Sequence, residues 1–266
     1  MQMALVLVCG STLASAPLIK RGISWLASLP KKPVGAIALV TAISSLACWL
    51  NWGFGLIVGV IFAKEIARKL PGVDYRLLIA SAYSGFVVWH AGLSGSIPLT
   101  MATPGAGLKE VTQGALENPI PITYTVLIPY NIVIVELIIV ALVAVNSLMH
   151  PKADKVVAIN PDLLAEDAPV KTEKASTPAE KMENSRILSL IIAILGLTYL
   201  IIKLFFHGGS LDLNSVIMLF LFIGVILHKT PLAYVHAFTK SATGAAGILL
   251  QFPFYAGIMG IITGVG

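Results

Sequence analysis

The sequence predicts an all-α polytopic membrane protein with about six transmembrane helices and a re-entrant hairpin that enters the membrane from the cytoplasm. Of its 266 residues, 57% are hydrophobic and 12% are charged, whereas soluble domains carry about 25% charged residues. The mean hydropathy is +0.89. The apolar stretches are long enough for several crossings, because one transmembrane helix takes about 20 residues. These figures exclude a soluble enzyme and a disordered protein.

The basic residues indicate how the chain is oriented in the membrane. The formal net charge is +5, and Lys and Arg lie in short segments between apolar runs, where they mark cytoplasmic loops. We therefore expect these basic residues to face the surface of the lipid bilayer, and we expect no nucleic-acid partner. Cys9 and Cys48 both lie inside apolar runs, so no disulfide is expected. The sequence has no His and Cys spacing typical of a metal site.

Residues 33–63 form an uncharged stretch whose length predicts the hairpin. A straight helix of these 31 residues would measure about 46 Å, more than the hydrocarbon thickness of about 30 Å, and two crossings would need about 40 residues. Basic residues flank both ends, which places both ends in the cytoplasm. The chain is expected to turn near Asn51, between Trp49 and Gly53. The Asn51 amide is interpreted as a carboxylate donor, as a cation ligand through its oxygen, or as a cap of the turn.

Residues 77–105 predict a helix that is broken in its later half. The run from Trp89 to Gly105 is rich in Gly, Ser, Thr and Pro, which a helix built only for packing does not need. Unwinding at such residues frees N–H and C=O groups for a carboxylate or a cation. The alternative is a kinked helix packed through small residues. The candidate binding residues are Asn51, Gly53, His90, Gly92, Ser94, Gly95, Ser96, Thr100, Thr103, Pro104 and Gly105.

Two ionisable side chains are expected at membrane depth, where such groups usually have a function. His90 falls in the broken helix, and Glu136 falls within the apolar stretch 122–149 without a cation in its own helix. His90 is interpreted as a proton relay or as a neutral, hydrogen-bonded ring. Glu136 is interpreted as a coupling group or as a protonated packing residue. The sequence has no nucleophile–base pair and no phosphate-binding loop, so we expect no catalytic residues and no cofactor.

Four segments resemble the bacterial short-chain fatty acid transporters, and they follow one another in that family's order over nearly the whole chain. They are 51–53 (Asn-Trp-Gly), the patches 73–86 (beginning Val-Asp-Tyr-Arg), 89–90, 92–96 and 103–105 of one segment, 149–151 (Met-His-Pro) and 251–257 (Gln-Phe-Pro-Phe-Tyr-Ala-Gly). The resemblance implies uptake of small monocarboxylates, such as acetoacetate or butyrate, across the cytoplasmic membrane of a bacterium. The hairpin and the broken helix also look like the first copy of an inverted repeat in the larger ion-transporter group, which includes the sodium-coupled dicarboxylate carriers.

Composition divides the chain into three parts. Residues 1–150 are the first membrane half, 151–186 are a charged and Pro-containing cytoplasmic linker, and 187–266 are a second membrane half with room for three spans. The resembling family is longer at both ends and carries a later Ser-Gly-Gly-Gly-Gln-Trp motif that is absent here. We therefore expect a fragment that lacks the C-terminal part and has an incomplete second half.

The first hypothesis is an ion-coupled secondary carrier that binds a short-chain fatty acid anion between Asn51 and residues 94–103. A proton or sodium ion would drive it, with Asn51 and Glu136 as the coupling candidates. The second hypothesis is a non-transporting membrane scaffold or an inactive, truncated carrier. Beyond the acid and the bilayer no partner is predicted, and a homo-oligomer is left open.

Overall fold

The regular structure is helical, which confirms the predicted class. The computed structural model describes residues 2–105, 108–109, 112–160, 164, 177–206 and 212–265. Four helices in these ranges are long and apolar enough to cross a membrane, and six spans result if each of two bent helix pairs counts as one. The chain is therefore a multi-pass membrane protein. The sequence His-Gly-Gly-Ser at 207–210 predicts a tight turn, which lies outside the described residues.

The first membrane half opens with a bent pair of helices. Helix α1 (Gln2–Ala14) and helix α2 (Pro17–Leu26) meet at an angle of 66°. Pro17 stands in the first turn of α2. A proline is tolerated there because a first-turn N–H has no partner within the helix, and the same proline ends the preceding helix. The two helices thus form one broken element.

A hairpin follows, made of α3 (Pro33–Leu50) and α4 (Trp52–Lys69), with Asn51 as the residue between them. The two arms are antiparallel and in close contact. A Cβ atom added at Gly55 would lie 2.3 Å from the backbone nitrogen of Cys48, and one at Gly59 would lie 2.8 Å from the Ser44 hydroxyl. The glycines of α4 therefore let the two helix backbones approach each other.

The second arm of the hairpin is longer than the sequence predicts, because α4 continues past Ala63 to Lys69. Lys64, Glu65 and Arg68 extend the helix at its C-terminal end, where an ion pair between Glu65 and Arg68 lies along the helix surface. Each arm has 18 residues, or about 27 Å of helix, close to the hydrocarbon thickness of about 30 Å. That the hairpin re-enters the membrane stays a prediction.

The broken helix and one further span complete the first half. Helix α5 (Tyr75–Ser84) continues as a 3₁₀ helix (Gly85–Ala91), and α6 (Ser96–Ala102) begins after an interruption at 92–95. After the short helix Ile122–Tyr124, α7 (Pro129–Leu148) runs back along α3. Asn146 of α7 fixes this packing, since its amide donates to Thr41 Oγ1 at 3.1 Å and to Ser84 Oγ at 2.8 Å.

The described residues of the second half form four longer helices. After the short α8 (Pro178–Glu183), the helices are α9 (Arg186–Ile201, extended by a π-helical turn at Ile202–Phe206), α10 (Leu213–His228), α11 (Pro231–Thr243) and α12 (Ala246–Val265). Helices α11 and α12 are bent by 46° against each other. Helix α1 connects the halves, because it packs on α4 on one side and on α10 and α11 on the other.

The hydrophobic core is centred on the hairpin. Ile37 of α3, Phe62 and Ile66 of α4, and Leu78 of α5 are fully buried in one cluster. A second cluster joins Trp52 at the start of α4 to residues of α1, α6 and α10. The hairpin is therefore held on both arms, and the tip at Asn51 lies between the two clusters.

Asp74 ties the beginning of the linker to the start of α5. Its carboxylate is 2% exposed and accepts hydrogen bonds from the backbone N–H groups of Leu77 and Val157, both at 2.9 Å. The backbone N–H of Tyr75 donates in return to the Val157 carbonyl at 2.9 Å. The first residues of the linker are thus held against the first half, which differs from the fully solvated linker that composition predicts.

Replacement of Asp74 by alanine is expected to release this contact and to speed trypsin cleavage after the exposed Lys155. The change removes a helix cap and a second backbone hydrogen bond, and each contributes about 1 kcal/mol.

Burial alone raises the pKa of Asp74, but the hydrogen bonds from Val157 and Leu77 and the Arg76 guanidinium outweigh it and lower the pKa to about 2. Because the pKa is lowered on folding, the stabilisation is complete above about pH 4 and is lost between about pH 4 and 2.

The control for this experiment is Glu183→Ala, which removes an exposed carboxylate away from the Lys155 cleavage site. Cleavage of the wild type and of the control should proceed equally slowly. Equal cleavage of Asp74→Ala and the wild type would show that Asp74 does not hold the linker.

Candidate functional site

The hairpin tip and the interruption of the broken helix meet and share hydrogen bonds. The carbonyl of Trp49 accepts from the backbone N–H of Leu93 at 2.8 Å, and the backbone N–H of Trp52 donates to Ser94 Oγ at 2.9 Å. Asn51 and Ser94 are fully buried. Backbone groups freed by a helix break must find partners inside the protein at membrane depth. Here each break supplies partners for the other.

Two glycines are tightly enclosed at the interruption, and one of them, Gly92, makes this approach sterically feasible. A Cβ atom at Gly92 would lie 2.2 Å from the Trp49 carbonyl oxygen, and one at Gly95 would lie 2.5 Å from the His90 carbonyl oxygen. Gly92 has an extended backbone, with φ −103° and ψ 179°, so the 3₁₀ helix ends there. The sequence predicts both glycines as binding residues. In the structure Gly92 lets the two breaks approach each other, and Gly95 lets the broken helix pack against its own residue His90.

Helix α1 forms a third wall of the junction, which the sequence did not predict. A Cβ atom at Gly10 would lie 2.5 Å from Asn51 Oδ1, and one at Gly53 would lie 2.7 Å from the Cα of Leu7. Gly53, a predicted binding residue, thus serves close packing against α1. The glycine in the middle of an apolar run was the one signal that could have indicated this contact.

Asn51 caps α4 with one end of its amide and leaves the other end free. Its Oδ1 accepts from the backbone N–H of Phe54 at 2.9 Å. Its Nδ2 is buried and meets no acceptor among the described residues, and the indole Nε1 atoms of Trp49 and Trp52 share this condition. Buried donors are normally paired, and the N-terminus of α4 adds partial positive charge. The junction therefore suits a negatively charged hydrogen-bond acceptor.

An open pocket of about 390 Å³ lies beside the interruption, on the side of α7. Its lining residues are His90, Ala91, Ile97, Pro98, Met101, Tyr124, Thr125, Val126, Tyr130 and Asn131. The amide of Asn131 donates to the Ala91 carbonyl at 3.1 Å and to the Val126 carbonyl at 2.8 Å. Asn131 thereby pairs a carbonyl that the break leaves free, a contact that sequence reasoning did not find.

Two predicted hydroxyls are committed to their own helix. Thr100 Oγ1 donates to the Ser96 carbonyl at 2.7 Å, and Thr103 Oγ1 donates to the Leu99 carbonyl at 2.6 Å. Pro104 and Gly105 are exposed beyond the end of α6, and Gly105 has a φ of +132°, which favours glycine. These residues shape the exit from α6.

The two ionisable candidates lie apart from the tip. His90 is exposed, lines the pocket and has its ring 3.8 Å from that of Trp89, centroid to centroid. Glu136 is exposed on α7. Within the described ranges no ion pair joins Glu136 to another residue. The structure therefore brings together Asn51, Gly92, Ser94 and Gly95, but not Glu136.

A multi-pass helical protein in which two helix interruptions meet in the interior has the architecture of a secondary transporter. Comparison with known proteins identifies the kind. The family model described as short chain fatty acid transporter matches residues 1–266, and the chain belongs to that family. This confirms the resemblance seen in the sequence, and the family is one of transporters, not of enzymes.

Two relatives are similar over 97% of this chain and carry the provisional name short-chain fatty acid transporter. The protein of Escherichia coli (strain K12) is 46% identical over 260 residues. The protein of Haemophilus influenzae (strain ATCC 51907 / DSM 11121 / KW20 / Rd) is 44% identical over 263 residues. The chain spans 58% and 59% of the length of these relatives. No solved structure matches the chain.

Proposed function

We propose that the chain takes part in ion-coupled secondary transport of short-chain fatty acids, small monocarboxylates such as acetoacetate or butyrate, across the cytoplasmic membrane of a bacterium. The observation that carries the proposal is the buried junction of the hairpin tip with the interruption at 92–95, where the Asn51 amide keeps an unpaired N–H donor. Family membership and the names of the relatives support the class of acid.

The proposed binding mode follows from the donors at the junction. The carboxylate of the acid accepts from Asn51 Nδ2 and lies at the positively polarised N-terminus of α4. The short aliphatic part extends toward the apolar side of the pocket at Ile97, Pro98 and Met101. Among the other predicted residues, Ser94 holds the tip in place through Trp52, and His90 stays a candidate for a polar contact at the pocket.

The coupling ion has two candidate sites. Asn51 Oδ1 already accepts from Phe54, which leaves it a poor cation ligand. Glu136 presents a carboxylate on the exposed side of α7, so we propose Glu136 as the group that takes up a proton or pairs with sodium. Measuring uptake with a sodium gradient alone and with a proton gradient alone separates these two driving ions.

Replacement of Asn51 by aspartate tests the binding mode while it keeps a side chain that can cap α4. Aspartate caps a helix as well as asparagine does, but it replaces the free donor with a negative charge. We expect uptake of labelled butyrate at pH 7 to fall at least tenfold, because a hydrogen bond to a charged group contributes about 1.5–3 kcal/mol. The measurement uses vesicles that contain this chain or a form extended to the length of the relatives.

The matched control is Ser185→Asp, which makes a similar exchange at the cap of α9, where Ser185 Oγ accepts from the backbone N–H of Leu188 at 3.3 Å. A folded Asn51→Asp variant with wild-type uptake would refute the binding mode. Uptake by neither form of the wild type would instead favour the non-transporting scaffold.

A further inference from the structure

The buried side-chain nitrogens without an acceptor are concentrated at one place. In the part of the chain that the structure describes, they are Trp49 Nε1, Asn51 Nδ2 and Trp52 Nε1. All three therefore fall within four consecutive residues at the hairpin tip. The other buried side-chain atoms without a partner are hydroxyl oxygens, which can both donate and accept.

We propose that the indole N–H groups of Trp49 and Trp52 bind the carboxylate of the transported acid together with Asn51. We further propose that this set of neutral donors makes the site selective for monocarboxylates over dicarboxylates. The inference rests on the proposed function, in that the junction is taken to hold a carboxylate. It adds two substrate-contacting residues and a rule for substrate charge.

The unpaired donors carry an energetic cost. A buried donor without a partner costs about 1–3 kcal/mol, and a buried tryptophan normally places its N–H on an acceptor. Trp25, in contrast, is 64% exposed, so its N–H can be solvated. An acceptor supplied by a ligand would relieve three such costs at once.

Packing against neighbouring side chains holds both indole rings. The Trp52 ring lies 6.4 Å from that of Phe86 and 6.1 Å from that of Trp89. Trp49 packs against a buried cluster that includes Ala102 and Val126. Trp49 and Trp52 lie within two residues of Asn51 in the chain, so both side chains start close to its amide. Packing holds both rings, which lowers the entropic cost of binding.

The donors at the junction are neutral, which limits the charge of the ligand that they can bind. Indole N–H groups donate and never accept, so they repel a metal cation and attract a carboxylate. The residues that form the junction, 7–10, 49–54 and 92–95, include no Lys or Arg. One negative charge can be bound there by neutral donors and the α4 N-terminus, whereas a second buried carboxylate would find no cation to balance it.

The test removes the indole N–H group of each tip tryptophan. Benzothienylalanine, in which sulfur takes the place of the indole N–H, is incorporated at position 49 or 52, and Trp49→Phe and Trp52→Phe are made in parallel. Binding of labelled butyrate is measured with purified protein, both as this chain and in the form extended to the relatives' length. Each replacement is expected to raise the Kd at least tenfold, the fold-change that about 1.4 kcal/mol produces. Trp25→Phe is the matched control and should bind as the wild type does.

The outcomes separate this inference from the proposed function. If the wild type binds butyrate and both benzothienylalanine variants bind it equally well, the indole donors are refuted and the proposed function stands. If succinate at pH 7 competes as well as butyrate does, the charge rule is refuted. If the wild type binds neither acid in either form, the proposed function and this inference fail together.

Discussion

Replacement of Gly92 by alanine is expected to abolish uptake and to lower the thermal stability of the protein. The added Cβ would lie 2.2 Å from the Trp49 carbonyl oxygen and 2.8 Å from its carbonyl carbon. Both neighbours are backbone atoms, so no side-chain rotation relieves the overlap. The hairpin tip must move away, and the hydrogen bond from Leu93 to Trp49 is then lost. Overpacking of this kind costs about 1–3 kcal/mol, and the lost bond adds about 1 kcal/mol.

Gly257→Ala provides the control for Gly92→Ala. Gly257 lies in α12 with no atom within 4 Å of its added Cβ, and alanine favours a helix over glycine by about 1 kcal/mol. Melting temperatures in detergent and butyrate uptake are compared for both variants. We expect the control to be as stable as the wild type or more so. A Gly92→Ala variant that melts and transports like the wild type would show that the tip and the interruption do not pack as described.

The elements of the site were predictable because interruptions of apolar helices have a strong sequence signal. Asn51 and the run around Gly92 are unusual for membrane helices, and unpaired backbone is tolerated there only inside the protein. Composition similarly fixes the class, since too few charged residues remain for a soluble surface. What the sequence did not indicate is that the tip and the interruption bind each other through Trp49 and Leu93. That contact depends on how the helices pack.

The predicted roles of Thr100 and Thr103 show a different limit. A threonine hydroxyl in a helix can donate to the carbonyl one turn earlier or to a ligand, and the residue type is the same in both cases. The structure gives both hydroxyls to the helix backbone. The extent of α4 was underestimated for a related reason. Lys64 and Glu65 look like the end of an apolar segment, although long charged side chains continue a helix readily at the membrane surface.

An ion pair joins Lys203 to Asp212 in the described part of the second half, and its loss is expected to destabilise that half. Lys203 Nζ lies 2.9 Å from Asp212 Oδ2 and 2.8 Å from Ser215 Oγ. The side chains are 28% and 13% exposed. We expect Lys203→Met to cost about 1–3 kcal/mol, between the values for exposed pairs and for fully buried pairs, because it leaves the Asp212 carboxylate without its cation.

A double-mutant cycle distinguishes this interaction from a general effect of changing the end of α9. Lys203→Met, Asp212→Asn and the double variant are melted in detergent, with Arg186→Met at the exposed start of α9 as the control. The double variant should be less destabilised than the sum of the single changes, since each single change leaves one partner unpaired and the double change leaves neither. Additive losses would mean that Lys203 stabilises α9 by its aliphatic stem alone. The structure predicts a coupling, because Asp212 also accepts from the backbone N–H and the hydroxyl of Ser215 and thereby joins the start of α10 to the π-helical turn of α9.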